Sequence, residues 1–153
     1  MTRLDGLPSN LALASAMVAV TVLIHFWGII LLLRLMGHTG RRLNAQDSHL
    51  GQAALLVLVV LGIFALHTVE IWLYAAVYLA LGQFEALEPA LYFSTVTFVT
   101  VGYGDLVLGS RWRMLSAIEA ANGVILIAWS TAFLFNVTAR LTALDHDWLK
   151  PPD

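Results

Sequence analysis

Apolar residues run through this chain in long blocks, not alternating with polar ones at the two-residue period of a strand or the three-to-four period of a surface helix. Three blocks stand out: Leu11 to Leu35, Leu50 to Leu81 and Met114 to Leu141. Eighteen or more consecutive apolar residues predict a membrane-spanning helix. At 1.5 Å per residue the first block is about 37 Å long and the second about 48 Å, enough to cross the ~30 Å hydrocarbon layer with some tilt. A fourth block, Leu87 to Val99, is too short to cross. It predicts a re-entrant helix, and irregular backbone after it is tolerated at membrane depth only inside protein or beside a water-filled cavity. The polar interruptions mark the ends. Pro8-Ser9-Asn10 predicts the start of the first helix, with Ser9 or Asn10 as its cap, and Gly37 to Ser48 predicts the break before the second. Gly82-Gln83-Phe84-Glu85 closes the second helix. Glu88-Pro89 opens the short one, since proline suits a first helical turn and an acid suits the positive end of the helix dipole.

Composition agrees with a membrane location. The 153 residues are 59% apolar and 12% charged, against about 25% charged in soluble domains. Mean hydropathy is +0.81. A net charge of -2 offers no attraction for nucleic acid, and the absence of cysteine excludes disulfides, thiolate-zinc sites and thiol catalysis. Charge also orients the chain. Arg34, Arg41 and Arg42 form the one cationic cluster between apolar blocks, which places that loop in the cytoplasm and the N-terminus outside. Arg111 and Arg113 then fall outside, against the rule, because a re-entrant segment returns to the face it left. Trp112 between them fits an interfacial anchor. The first block is too long for the apolar core of a signal peptide, and no cleavage-like site follows it.

Between the third and fourth blocks lies Thr100-Val101-Gly102-Tyr103-Gly104-Asp105. A cation in a narrow pore must replace lost water with oxygens, and consecutive backbone carbonyls supply them if all point one way. A regular strand alternates its carbonyls. Gly102 and Gly104 enter left-handed conformations at little cost and so permit the one-sided arrangement. The expected ligands are the carbonyls of Thr100, Val101, Gly102 and Tyr103, with the Thr100 hydroxyl. Gly104 and Asp105 support them, Asp105 by concentrating cations at the outer mouth. The side chains of Val101 and Tyr103 are expected to point away and brace the loop. One loop supplies ligands from one side only, so several copies around an axis are required.

The stretches ALYFSTVTFVTVGYGD (90–105) and IEAANGVILIAWSTAFLFNV (118–137) resemble the pore domain of the small prokaryotic potassium channels, in which TVGYG is the selectivity filter. The resemblance covers residues 52 to about 141. It implies an all-α membrane fold of three transmembrane helices plus a re-entrant pore helix and filter loop, assembled as a homotetramer in membrane lipid. It implies selective passive conduction of K+ and no small-molecule substrate. It also implies an aromatic cuff that includes Tyr92 and Phe93, and an inner-helix hinge at Gly123. The chain then divides into an extra helix and cytoplasmic loop (1–50), the pore domain (51–141) and a short cytoplasmic tail (142–153). Two departures bear on selectivity: LVLGS follows Asp105 where many relatives have a proline, and Val96 stands where some have an acid. A weakly selective cation channel, or a non-conducting subunit that docks a partner, are the alternatives. The first helix has Arg34 alone, not the row of arginines a voltage sensor needs, and the tail is too short for a ligand-sensing domain. No nucleophile–base pair, metal cluster or phosphate loop marks an enzyme.

His25, His67, Glu70 and Glu119 lie within apolar blocks, where ionisable groups are costly and face the bundle interior. His67, Glu70 and Tyr74 share one helix face, and His25 and His67 sit at similar depth. A proton-sensitive gate is one reading. The favoured one is that these groups pin helix packing by hydrogen bonds. Glu119 is expected to bond the pore-helix region. His67 and Glu70 alone do not complete a metal site. Asn122, Ser130, Thr131 and Asn136 line a cavity or mediate packing.

Overall fold

The structure, a computed structural model, describes residues 6–42 and 48–143. The expected loop segment 43–47 and tail 144–153 lie outside the described residues. Four helices follow in order: α1 (Leu7–Arg42), α2 (His49–Ala80), α3 (Leu87–Phe98) and α4 (Arg113–Ala143). No strand occurs among the described residues. Leu7–Gly40, His49–Ala80 and Arg113–Leu141 are long and apolar enough to cross a membrane, and the 12-residue α3 is not. The fold is an all-α, multi-pass membrane architecture.

Two expected boundaries need correction. The first helix does not stop at Leu35. It continues through Gly37 and Gly40 to Arg42, since isolated glycines weaken a helix without ending it, and Gly40 still lies against Leu55 of α2. Its N-terminus is not capped by Ser9 or Asn10 either. Both lie inside the first turn, where Ser9 Oγ donates back to the Gly6 carbonyl at 2.9 Å and the Asn10 amide donates to the Arg111 carbonyl. The second helix has the capping the sequence lacked at the first: the Ser48 hydroxyl accepts from Gly51 N–H at 3.4 Å.

The helices α1, α2 and α4 pack lengthwise, and α3 is held between α2 and α4. In lipid, apolar surfaces gain little from meeting each other, so close approach at small residues sets the contacts. Gly28 on α1 receives Leu66 of α2, and Gly62 on α2 receives Leu32 of α1. This reciprocal insertion fixes the register of the pair. A cluster of Tyr74, Tyr78, Phe93, Phe98, Leu115 and Leu126 joins α2, α3 and α4, and Leu108 of the loop before α4 and Ala14 and Met17 of α1 complete it.

Candidate ion pathway and the polar clusters behind it

Helix α3 ends at Phe98, and the loop after it remains tied to its last turn. Thr100 N–H donates to the Thr97 carbonyl at 2.9 Å, and Gly102 N–H to the Val96 carbonyl at 3.0 Å. The backbone then takes positive φ at every second residue: +60° at Thr100, +50° at Gly102 and +79° at Gly104. A strand with φ of one sign alternates its carbonyls. Changing the sign of φ at alternate residues is the backbone pattern that turning successive carbonyls to one side requires. The two glycines adopt this conformation freely. Thr100 does not: it is β-branched, it is the one non-glycine residue with positive φ among the described residues, and such strain persists where the surroundings over-determine it. Sequence reasoning named Thr100 as a ligand but had no signal for its left-handed backbone.

The Asp105 end of the loop is fastened from α3. The Tyr92 hydroxyl donates to Asp105 Oδ2 at 2.8 Å, and this bond raises the Tyr92 hydroxyl above its ordinary pKa, because the phenolate would face the carboxylate. Phe93, one residue on, turns the other way. It is buried against Tyr78 and Phe84, each with ring centroids 5.3 Å away. Val101 and Tyr103 are 51% and 71% exposed, so the bracing expected of their side chains is not provided by this chain's own helices.

Behind the loop, Glu119 of α4 is fully buried. Ser94 of α3 donates to Glu119 Oε1 at 2.5 Å, and the Tyr78 hydroxyl of α2 donates to Glu119 Oε2. Ser94 Oγ also lies 3.0 Å from the Ile71 carbonyl. The expected link from Glu119 to the pore-helix region is thus present. Gly123, one turn further, is where α4 meets the end of α3: a Cβ there would collide with the Phe98 carbonyl and ring. Helix α4 runs unbroken through this position.

The other intramembrane polar residues gather in two layers. Thr21 of α1, Tyr74 of α2 and Asn122 of α4 meet where the Asn122 amide reaches the Thr21 hydroxyl at 2.8 Å and the Tyr74 hydroxyl at 3.3 Å. Below them, His25 Nδ1 donates to Glu70 Oε1 at 2.9 Å and His67 Nδ1 to Glu70 Oε2 at 2.8 Å. Ser130 Oγ sits 3.4 Å from His25 Nε2 and 3.1 Å from His67 Nε2. The two imidazoles stack at 5.4 Å. These contacts join α1, α2 and α4, as the packing reading expects. Thr131 and Asn136 return their side chains to their own helix at Ile127 and Ala132. A cavity of about 460 Å³ opens beside the end of α3, lined by Phe64, His67, Thr95, Phe98, Ser130 and Thr131 among others. Thr21 was missed by sequence reasoning, and Asn10 was expected only as a cap; a lone threonine or asparagine gives no sign of its partner on another element.

The family model described as an ion channel matches residues 53–140, more than half of the chain. The chain belongs to this ion channel family. No curated protein and no solved structure matches the chain. The matched region takes in nearly all of α2 and α4 of the channel, with α3 and the loop, and leaves α1 outside.

Proposed function

We propose that this ion channel is a potassium-selective pore, built as a homotetramer around the carbonyls of Thr100, Val101, Gly102 and Tyr103. The observation that carries the reading is the alternating positive φ at Thr100, Gly102 and Gly104, the pattern that a one-sided row of carbonyls needs, in a loop reading TVGYGD. The ion exchanges its hydration shell for successive carbonyl rings, and repulsion between ions in neighbouring sites moves them through. The C-terminal end of α3 directs its negative dipole end at the inner side of the filter. Asp105, held by Tyr92, guards the outer mouth. Assembly of several copies is supported by the surfaces a single chain leaves open, since Val101, Tyr103, Val124, Ile125 and Phe135 are all more than half exposed, and the number four is what the resemblance to potassium channels implies. The arginines at the end of α1 favour a cell-membrane orientation with the filter mouth and N-terminus outside. No catalytic role belongs to this reading; K+ is cargo.

The test is flux into liposomes that contain only the purified chain, under opposing K+ and Na+ gradients. Potassium flux that barium blocks supports the reading. Equal flux of both ions keeps the pore and removes the selectivity. A chain that assembles as a tetramer and passes neither ion removes conduction.

A further inference from the structure

The cluster of His25, His67 and Glu70 is more than packing requires. Two imidazoles and a carboxylate from two helices point three donor atoms at one another, all within 4.8 Å. We propose that these residues form a binding site for a divalent transition metal, Zn2+ by donor type, held by His25 Nδ1, His67 Nδ1 and a Glu70 oxygen.

The donor set is that of zinc sites with three protein ligands and one open position. In a tetrahedron with bonds of about 2.0–2.1 Å, neighbouring ligand atoms stand about 3.3 Å apart. Each Nδ1 lies on its own Glu70 oxygen, His25 at 2.9 Å from Oε1 and His67 at 2.8 Å from Oε2, and with one donor atom from each residue within 4.8 Å of the other two, the cluster closes on an ion by small shifts of the rings and the carboxylate. The hydrogen inventory favours this. Without an ion both Nδ1 atoms donate to Glu70, and both Nε2 atoms are acceptors facing one hydroxyl, Ser130, which has a single proton. One acceptor goes without. With an ion on the Nδ1 side, both rings carry their proton on Nε2, and the two lone pairs of Ser130 Oγ accept both. Ser130 then plays the outer-shell part that orients ligating histidines. No proton need leave the cluster, since each imidazole only changes tautomer.

Charge and access also fit. The carboxylate cancels one of the two positive charges. The remainder lies beside two aromatic rings: the Phe98 ring centroid is 5.7 Å from that of His67, and the Trp129 ring is 5.1 Å from His25. His25 and Glu70 are wholly buried, but the His67 side chain keeps 15% exposure and lines the cavity beside α3, which gives an ion a route. The ligands join the extra helix α1 to α2 of the pore region, with Ser130 of α4 behind them.

The experiment uses the full purified chain in detergent, titrated with Co2+ and then Zn2+. The expected result is one Co2+ per chain with the intense visible absorption of a four-coordinate site, displaced by Zn2+. His67→Gln and Glu70→Gln each weaken binding at least tenfold, and Ser130→Ala weakens it about 10–100-fold. The double variant His38→Gln/His49→Gln leaves it unchanged. Absence of the band, or binding that follows His38 and His49 and ignores Glu70→Gln, overturns the proposal. Should the cluster variants fail to assemble, X-ray absorption of the Zn2+-loaded natural chain decides: two imidazoles with oxygen in the first coordination sphere support the site, and fewer than two imidazoles overturn it. The outcome is independent of which ion the pore passes.

Discussion

Glu119 offers a sharp separation between charge and hydrogen-bond count. Two hydroxyls bond it: Tyr78 donates to one carboxyl oxygen and Ser94 reaches the other at 2.5 Å, while Ser94 also lies 3.0 Å from the Ile71 carbonyl. Ser94 has one proton and two acceptors within reach, so one acceptor goes unserved unless the group at 119 donates. A glutamine does so. Its Oε1 accepts from Tyr78, its Nε2 donates to Ser94 Oγ, and the Ser94 proton is released to Ile71. Glu119→Gln is therefore expected to hold stability within about 0.5–1 kcal/mol of the natural chain. Glu119→Ala removes both bonds. Hydrogen bonds inside membrane proteins average about 0.6 kcal/mol and reach about 1.7, so the loss is about 1–3 kcal/mol per chain, with the vacated space adding to it. The assay is apparent thermal stability of the detergent-solubilised protein, followed by size exclusion after heating, with potassium flux measured on the same samples. The order natural ≈ Gln > Ala is the result expected. A glutamine variant that falls as far as alanine refutes the reasoning, because the site would then need the carboxylate itself and not its pattern of donors and acceptors.

Four further substitutions test other joints. Gly102→Ala forces an L side chain to φ near +50° at a cost of about 1–2 kcal/mol per chain, and is expected to abolish selective flux while leaving helix content by circular dichroism unchanged. Gly123→Val drives a side chain into the Phe98 carbonyl, so conduction should be lost even where the protein remains in the membrane fraction. Gly62→Leu meets Leu32 of α1 and overpacks the seam by about 1–3 kcal/mol, which limited proteolysis should report as a loosened first helix. Tyr92→Phe releases Asp105, and the expected readout is a change in potassium-over-sodium flux ratio with no change in assembly.

How much of this was legible beforehand depends on the range of the signal. The spans were readable because length and continuous apolarity are local properties, and the ends of α2, α3 and α4 fell within two residues of their expected places. The end of α1 was misread because Gly37 and Gly40 look like a break; an otherwise uninterrupted helix absorbs two glycines when nothing redirects the chain. The left-handed glycines of the loop were expected from their lack of a Cβ. Thr100 was not, since its +60° opposes its own preference and is imposed by its position. The convergence of His25 with His67 was anticipated from depth. That Glu70 would face both, with Ser130 beneath, depends on helix rotation about the axis, which an all-round apolar block does not encode.

The role of α1 follows from where its polar atoms fall. Asn10, Thr21 and His25 lie on its inner side, and each meets a different partner: the Arg111 carbonyl before α4, Asn122 of α4, and Glu70 of α2. From Asn10 to His25 is 15 steps along the helix, or about 22 Å, so these contacts are spread over most of the hydrocarbon thickness. An apolar face alone would let α1 slide or rotate, because lipid satisfies it as well as protein does. Spaced polar contacts, with Gly28 and Gly62 between α1 and α2, leave one rotation and one register. A helix that merely anchored the chain would need none of this. The extra helix packs against both α2 and α4 of the channel domain. Its contact with Glu70 and, through Asn122, with the helix that carries Glu119 and Gly123 ties its position to the residues that hold the end of α3 in place.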